Sequence, residues 1–183
     1  MLVSCLSAMM LAVLFSPTRS PPLMPNLIDK IETPNLRQLY AYWDGLRRGR
    51  EFPARRDIDP LDFRFVLGHV MLLDVLYQPL RFRFRLHGTV LALRAGYDMT
   101  GKMADDLPNA RNRSMLIERC RTVVERRQPL AMTDNRLLGR SPARFEVLWL
   151  PLSEDGSTIS MLMGALYYRD EPEQTGLSRG SAA

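Results

Sequence analysis

Residues 81–87 alternate between charged and apolar side chains, with Arg81, Arg83 and Arg85 set against Phe82, Phe84 and Leu86. Successive side chains of a strand point to opposite faces, so this pattern predicts a strand with one buried and one wet face. At Gly88 the period changes to that of a short helix, Thr89–Ala95, which stops at Gly96. The turn-rich loop Tyr97-Asp-Met-Thr-Gly101 follows, with Gly96 and Gly101 free to take positive φ. A strand feeding a short helix and a glycine-closed loop is a common way to build a small-molecule pocket.

The same reading extends along the chain. Thr33-Pro34 opens a helix with a capping hydroxyl and a proline at the first helical position. Leu36, Leu39, Tyr40, Trp43 and Leu46 follow at helical spacing, and Gly49 ends it. Asp57-Ile-Asp-Pro60 predicts a short helix through Phe65, and the apolar run His69–Tyr77 a strand covered on both faces. Gln78-Pro79 turns into the alternating strand, making a hairpin. A short turn is expected near Met103–Leu107, then a long helix over Arg111–Arg127 with Leu116, Cys120, Val123 and Val124 buried. Three strands complete the pattern: Leu130–Leu138, Arg144–Leu150 with Phe145, Val147 and Trp149 on one side, and Thr158–Tyr168 after a hairpin turn at Ser153-Glu-Asp-Gly156. The order predicts an α+β domain: a five-stranded antiparallel sheet with helices on one face and an N-terminal amphipathic helix.

Composition changes this picture at the ends. The chain has 183 residues and is 46% hydrophobic, enough for one domain with a full core. That domain is expected over 34–169, followed by a polar, Gly- and Ser-rich disordered tail, 170–183. Residues 1–23 form an apolar extension with three readings: a signal peptide, a membrane anchor, or a stretch upstream of a true start at Met24. No basic residue precedes Arg19, and the apolar run falls short of the roughly 20 residues a span needs, so export and membrane anchoring are the weaker readings. The expected location is therefore the cytoplasm, with export or anchoring as the alternative.

The formal charge is +5 and almost all the cations are arginine, Lys30 and Lys102 being the exceptions. These arginines are spread among acids, as on a solvated surface, so a nucleic-acid partner is not expected. Cys5 and Cys120 make neither a disulfide framework nor a metal site, and Cys120 reads as a small core residue.

At this point the chain resembles a known family. Tyr40-Ala-Tyr-Trp43, Pro53 with Asp57-Ile-Asp-Pro60, Leu72-Leu-Asp-Val75, Phe84-Arg-Leu-His-Gly-Thr89 and Gly96-Tyr-Asp-Met-Thr-Gly101, in this element order, resemble the PAS sensory fold. More specifically they are similar to the single-domain PAS-like proteins of alphaproteobacteria, over roughly Leu36–Arg169. The resemblance implies a sensory or regulatory module in bacterial signal transduction, acting with a separate signalling protein, since no output module follows Arg169. It implies no particular ligand and carries over no site residue. A ligand-free protein-interaction adaptor is the alternative, and an α+β enzyme a remote one.

Candidate chemistry is sparse. The two histidines, His69 and His87, read as structural or solvated. The PAS domains that bind haem usually place the ligand histidine on the long helix, which has none here, so haem is disfavoured. Flavin photochemistry needs a cysteine in an Asn-Cys-Arg setting, whereas Cys120 stands in Glu-Arg-Cys-Arg, so flavin is disfavoured too. The cofactor therefore stays unknown. No catalytic set or metal site assembles, and Asp105-Asp106 reads as a helix cap. Asp98 and Thr100 are expected to serve their own loop, and Arg85 to pair with Asp74 across the hairpin. The candidate pocket walls are Phe82, Phe84, Leu86, His87, Leu93, Met161 and Met163. The candidate dimer or partner face is Leu39, Tyr40, Trp43 and Leu46, which makes a homodimer through the N-terminal helix a further expectation.

Overall fold

The structure, a computed structural model, describes residues 27–138 and 141–169. The expected apolar extension (1–23) and the expected tail (170–183) lie outside the described residues.

Apolar positions at helical spacing form α1 (Pro34–Arg47), whose Leu36, Leu39, Tyr40 and Trp43 are buried. The strands are β1 (Val70–Leu76), β2 (Arg81–His87), β3 (Leu130–Leu138), β4 (Ser141–Leu152) and β5 (Met161–Tyr168). Between β2 and β3 lie α2 (Thr89–Ala95) and α3 (Ala110–Arg126). The sheet order is β2-β1-β5-β4-β3, with every neighbouring pair antiparallel. This is the predicted α+β, PAS-like architecture.

Register assigns the two faces of the sheet. Phe145, Val147, Trp149 and Pro151 stand opposite Tyr168, Leu166, Gly164 and Leu162, and directly opposed residues share a face. The other face carries Glu146, Leu148, Leu150 and Leu152, opposite Tyr167, Ala165, Met163 and Met161. Helices α2 and α3 lie on the Trp149 face, and α1 closes the Glu146 face.

Three local expectations change in the folded chain. The short helix expected from Pro60 is replaced by a turn in which the Leu61 N–H donates to Asp59 Oδ1 at 2.9 Å. A 3-10 helix, Arg64–His69, follows it. Phe63, Val66 and His69 are all buried, and their spacing of three matches the period of a 3-10 helix, which stacks them on one face. His69 is thereby drawn out of β1. Its Nδ1 bonds the Leu166 carbonyl at 3.1 Å and its ring stacks on Tyr167 at 3.9 Å.

The start of α1 is also built differently. Thr33 makes no side-chain bond to the helix. Its Oγ1 donates instead to Glu146 Oε2 at 2.6 Å, and the same carboxylate accepts the N–H groups of Glu32 and Thr33 at 2.7 and 2.8 Å. Finally, β5 begins at Met161 rather than Thr158, because Asp155 organises the preceding loop. Its Oδ1 accepts from Ser153 Oγ and from the Ser157 and Thr158 N–H groups, each within 2.8 Å. The Thr158 and Ser157 bonds, with Ser153, hold the Asp155 carboxyl well below the usual carboxylate range.

Leu39, Tyr40 and Trp43 are covered by the chain's own sheet, and the Trp43 Nε1–H donates to the Pro151 carbonyl at 2.9 Å. Leu46 is half-buried. Three of the four side chains proposed as a dimer face, Leu39, Tyr40 and Trp43, are thus buried within one chain.

The hairpin β1–β2 carries the expected ion pair and one more. Asp74 Oδ1 accepts from Arg85 Nε at 2.8 Å, and its Oδ2 accepts from Arg83 Nη2 at 2.9 Å. Burial pushes the Asp74 carboxyl up, but the bonds from Arg85 and Arg83 outweigh it and hold the carboxyl below its usual value. A folded-state pKa below the unfolded one contributes stability above about pH 4, which is lost as pH falls through the lowered value. Acid titration of stability should therefore show a loss below about pH 4 that Asp74→Asn removes. An unchanged acid limb in that variant would sink the assignment.

Candidate functional site

A cavity lies between the Trp149 face of the sheet and the helices. Its floor is Met71 of β1, Phe84 of β2, Phe145, Val147 and Trp149 of β4, and Leu166 of β5. Leu91 of α2 and Leu107 close two sides, and Asn112, Met115, Leu116 and Arg119 form the roof. These four residues of α3 stand at i, i+3, i+4 and i+7, so one stripe of the helix faces the sheet. The cavity volume is about 60 Å³. That is room for about four or five waters, and far less than the roughly 300 Å³ at the lower end of drug-sized sites.

His87 enters this cavity because of a β-bulge. Leu72 pairs with Leu86 but Leu73 pairs with Phe84, which leaves Arg85 as an extra residue. One extra residue reverses the alternation beyond it. Phe84 and His87 therefore share the inner face, while Leu86 turns outward and is 38% exposed. The His87 Nδ1 accepts the Met99 N–H at 3.3 Å, and its ring meets Phe84 edge-on at 5.5 Å. With Nδ1 accepting, the neutral imidazole carries its proton on Nε2.

The loop after α2 is tied to the edge of β2. The Gly101 N–H donates to the Phe84 carbonyl at 2.7 Å, and the Phe84 N–H to the Lys102 carbonyl at 2.9 Å. Thr100 Oγ1 accepts the His87 N–H and donates to Asp98 Oδ1, which also takes the Thr100 N–H. The Thr100 bonds hold the Asp98 carboxyl below its ordinary value. Asp98 and Thr100 thus serve the loop.

At the α3 side, Arg119 pairs with Asp134 of β3 and lies over the Phe145 ring at 5.4 Å from its centroid. Burial lowers the Arg119 pKa, against the opposing pull of Asp134. Cys120, one position on, is fully buried, and burial pushes its thiol up. It does not line the cavity.

Of the candidate walls, the structure brings Phe84 and His87 into the lining, with Phe82 buried on the same face of β2. Leu93 lies on the outside of α2, 82% exposed. Met161 and Met163 are buried on the opposite face, under α1, because β5 alternates from Leu162 and Gly164. Sequence reasoning missed Trp149, Arg119 and Asn112 as lining residues. The alternation of Phe145, Val147 and Trp149 carried part of that signal, as did the helical spacing from Asn112 to Arg119.

Among the described residues, no cluster of three or more His, Cys, Asp or Glu is placed to hold a metal. No described helix is long and apolar enough to cross a membrane.

A family model for the PAS domain matches residues 31–167. Among solved structures, the chain is similar to the Rhodobacter sphaeroides LOV protein, at 12% identity over 62% of this chain and 70% of that one, with a TM-score of 0.44. It is also similar to the LOV domain of the Erythrobacter litoralis EL346 blue-light activated histidine kinase, at 12% identity over 56% and 95%, TM-score 0.43. A third is the PAS domain of Bordetella pertussis BvgS, at 14% identity over 62% and 88%, TM-score 0.37. The search of curated proteins found no match.

Proposed function

The chain belongs to the PAS domain family, and from this premise we propose that it is a cytoplasmic sensory module that takes a small, mostly apolar ligand between its sheet and α3. The observation that carries this reading is the cavity of about 60 Å³ walled by Met71, Phe84, Val147, Trp149 and Leu166. Its roof, α3, leads into β3 across a short link and is tied to it by the Arg119–Asp134 pair. A ligand that moves the roof stripe therefore has a mechanical route to β3, the edge of the sheet, where a separate signalling protein would read the change.

Native mass spectrometry of the purified chain tests this. The expected result is a reproducible small bound mass. Met115→Trp should fill the cavity at a cost of about 1–3 kcal/mol in stability and remove the adduct while the fold persists. A chain that never carries an adduct would favour a ligand-free interaction adaptor. An adduct that survives Met115→Trp would place the ligand elsewhere.

A further inference from the structure

We infer that β3 is a self-association edge: two copies of this chain pair their β3 strands antiparallel about a two-fold axis at Asn135, joining their two five-stranded sheets into one. This goes beyond the sensory reading and does not depend on a ligand in the cavity.

The two edges of the sheet are treated differently. The outer edge of β2 is closed by the loop after α2, through the Gly101 and Phe84 N–H groups and a bridge between Arg83 and Met103. β3 is the opposite edge. Among the described residues, no backbone group bonds its outer side. β3 runs for nine residues without proline, glycine or lysine, in unbroken register with β4. Folded chains usually blunt such an edge with proline, lysine, a bulge or a cover.

The backbone groups that face outward follow from the ladder. Asn135 stands opposite Arg144, and the Arg144 carbonyl is given to the Arg169 N–H, on the β5 side. The N–H and C=O of one strand residue point to the same side, so Arg144 and Asn135 form a pair without mutual hydrogen bonds. Asn135 therefore turns its N–H and C=O away from β4, and by alternation so do Thr133 and Leu137. Thr133 and Asn135 are exposed. The Asn135 N–H has taken a side chain where a strand would fit, donating to Asp134 Oδ1 at 2.6 Å.

Charge selects the occupant and the register. β3 carries one acid, Asp134, and one base, Arg136, two positions apart. Antiparallel pairing about Asn135 sets Asp134 against the partner's Arg136, and Arg136 against the partner's Asp134. Met132 meets the partner's Leu138. Opposite charges and apolar side chains directly across a ladder are both favourable. The Asn135 N–H would pass to the carbonyl of the partner's Asn135. That frees Asp134 Oδ1 for the partner's Arg136, while Oδ2 stays with Arg119. Moving the axis by one residue, to Asp134, would oppose that carboxylate to its own copy, which is destabilising. A signalling protein that reads β3 would compete with the second copy for this edge.

Sedimentation velocity of the full chain tests this. The unaltered chain should dimerise at concentrations up to about 0.1 mM. Thr133→Pro removes an outward N–H and spares the ladder with β4, so it should give a monomer that circular dichroism shows to be folded. Arg136→Glu sets like charges opposite one another and should weaken the dimer about tenfold or more. Asn135→Cys should cross-link the dimer on mild oxidation, above the level reached by the unaltered chain with its own Cys5 and Cys120. Opposed Cα atoms in such a pair lie about 5.5 Å apart, within reach of a disulfide. If Thr133→Pro does not fold, the other two variants decide. A chain that stays monomeric, or a dimer equally tight in Thr133→Pro, would overturn the inference. A dimer lost in Thr133→Pro but equally tight in Arg136→Glu would overturn the axis at Asn135, as would the absence of the cross-link. These readouts are separate from the adduct measurement that tests the cavity.

Discussion

Glu146→Ala should destabilise the chain by about 3 kcal/mol or more, a large share of the roughly 5–15 kcal/mol that holds a domain folded. The Glu146 side chain sits under α1, 1% exposed, and accepts three hydrogen bonds: from the Glu32 N–H, the Thr33 N–H and Thr33 Oγ1. Alanine would leave these part-buried donors without their acceptor. The Glu32 and Thr33 groups would have to move outward, loosening the entry to α1 and the cover over Leu148 and Leu150. Glu146→Gln keeps an acceptor oxygen and should fall between the two. Urea unfolding measures both. A loss below about 1 kcal/mol for the alanine variant would show that the start of α1 is held by something else.

Gly88→Ala should cost about as much, near 3 kcal/mol, for a steric reason. A Cβ at this position would lie 2.4 Å from the Gly68 carbonyl oxygen and 2.6 Å from that of Val70. Both obstacles are backbone, and the Gly88 N–H is itself bonded to the Val70 carbonyl at 2.8 Å, so neither side can yield without losing that bond. The φ of Gly88 is −55°, which any residue adopts, so the penalty is contact and not conformation. Gly96 makes the contrast. Its added Cβ would meet open space, but its φ is +78°, so Gly96→Ala should cost only about 1 kcal/mol. Thermal unfolding of the two variants separates the mechanisms, and a Gly88→Ala chain as stable as Gly96→Ala would refute the clash.

The comparison of sequence and structure divides along the same physical line. The strands, α1 and α3 were legible because periodicity is a local property: Phe82 and Phe84 alternate with arginines, and Leu36, Leu39, Tyr40 and Trp43 recur at helical spacing. The Asp74–Arg85 pair was legible for the same reason, since a hairpin places its own cross-strand neighbours. The cavity lining was only half legible. Phe84 and His87 line it, yet Leu86 does not, because the bulge at Arg85 depends on how β1 meets β2 and leaves no mark on the alternation. Met161 and Met163 are apolar and buried as expected, but an apolar strand covered on both faces does not say which face holds the cavity.

By itself, the sequence determined the element order and the α+β class, because these follow from residue types and short-range spacing. Tertiary structure alone decided that Glu146, 113 residues from Thr33 along the chain, anchors the start of α1. It also decided that His87 turns inward and that Trp149 lines the cavity. Each of these depends on register between distant strands or on packing between layers. A shift of one residue would send the same side chain to the other face, and nothing local to the chain records which register prevails.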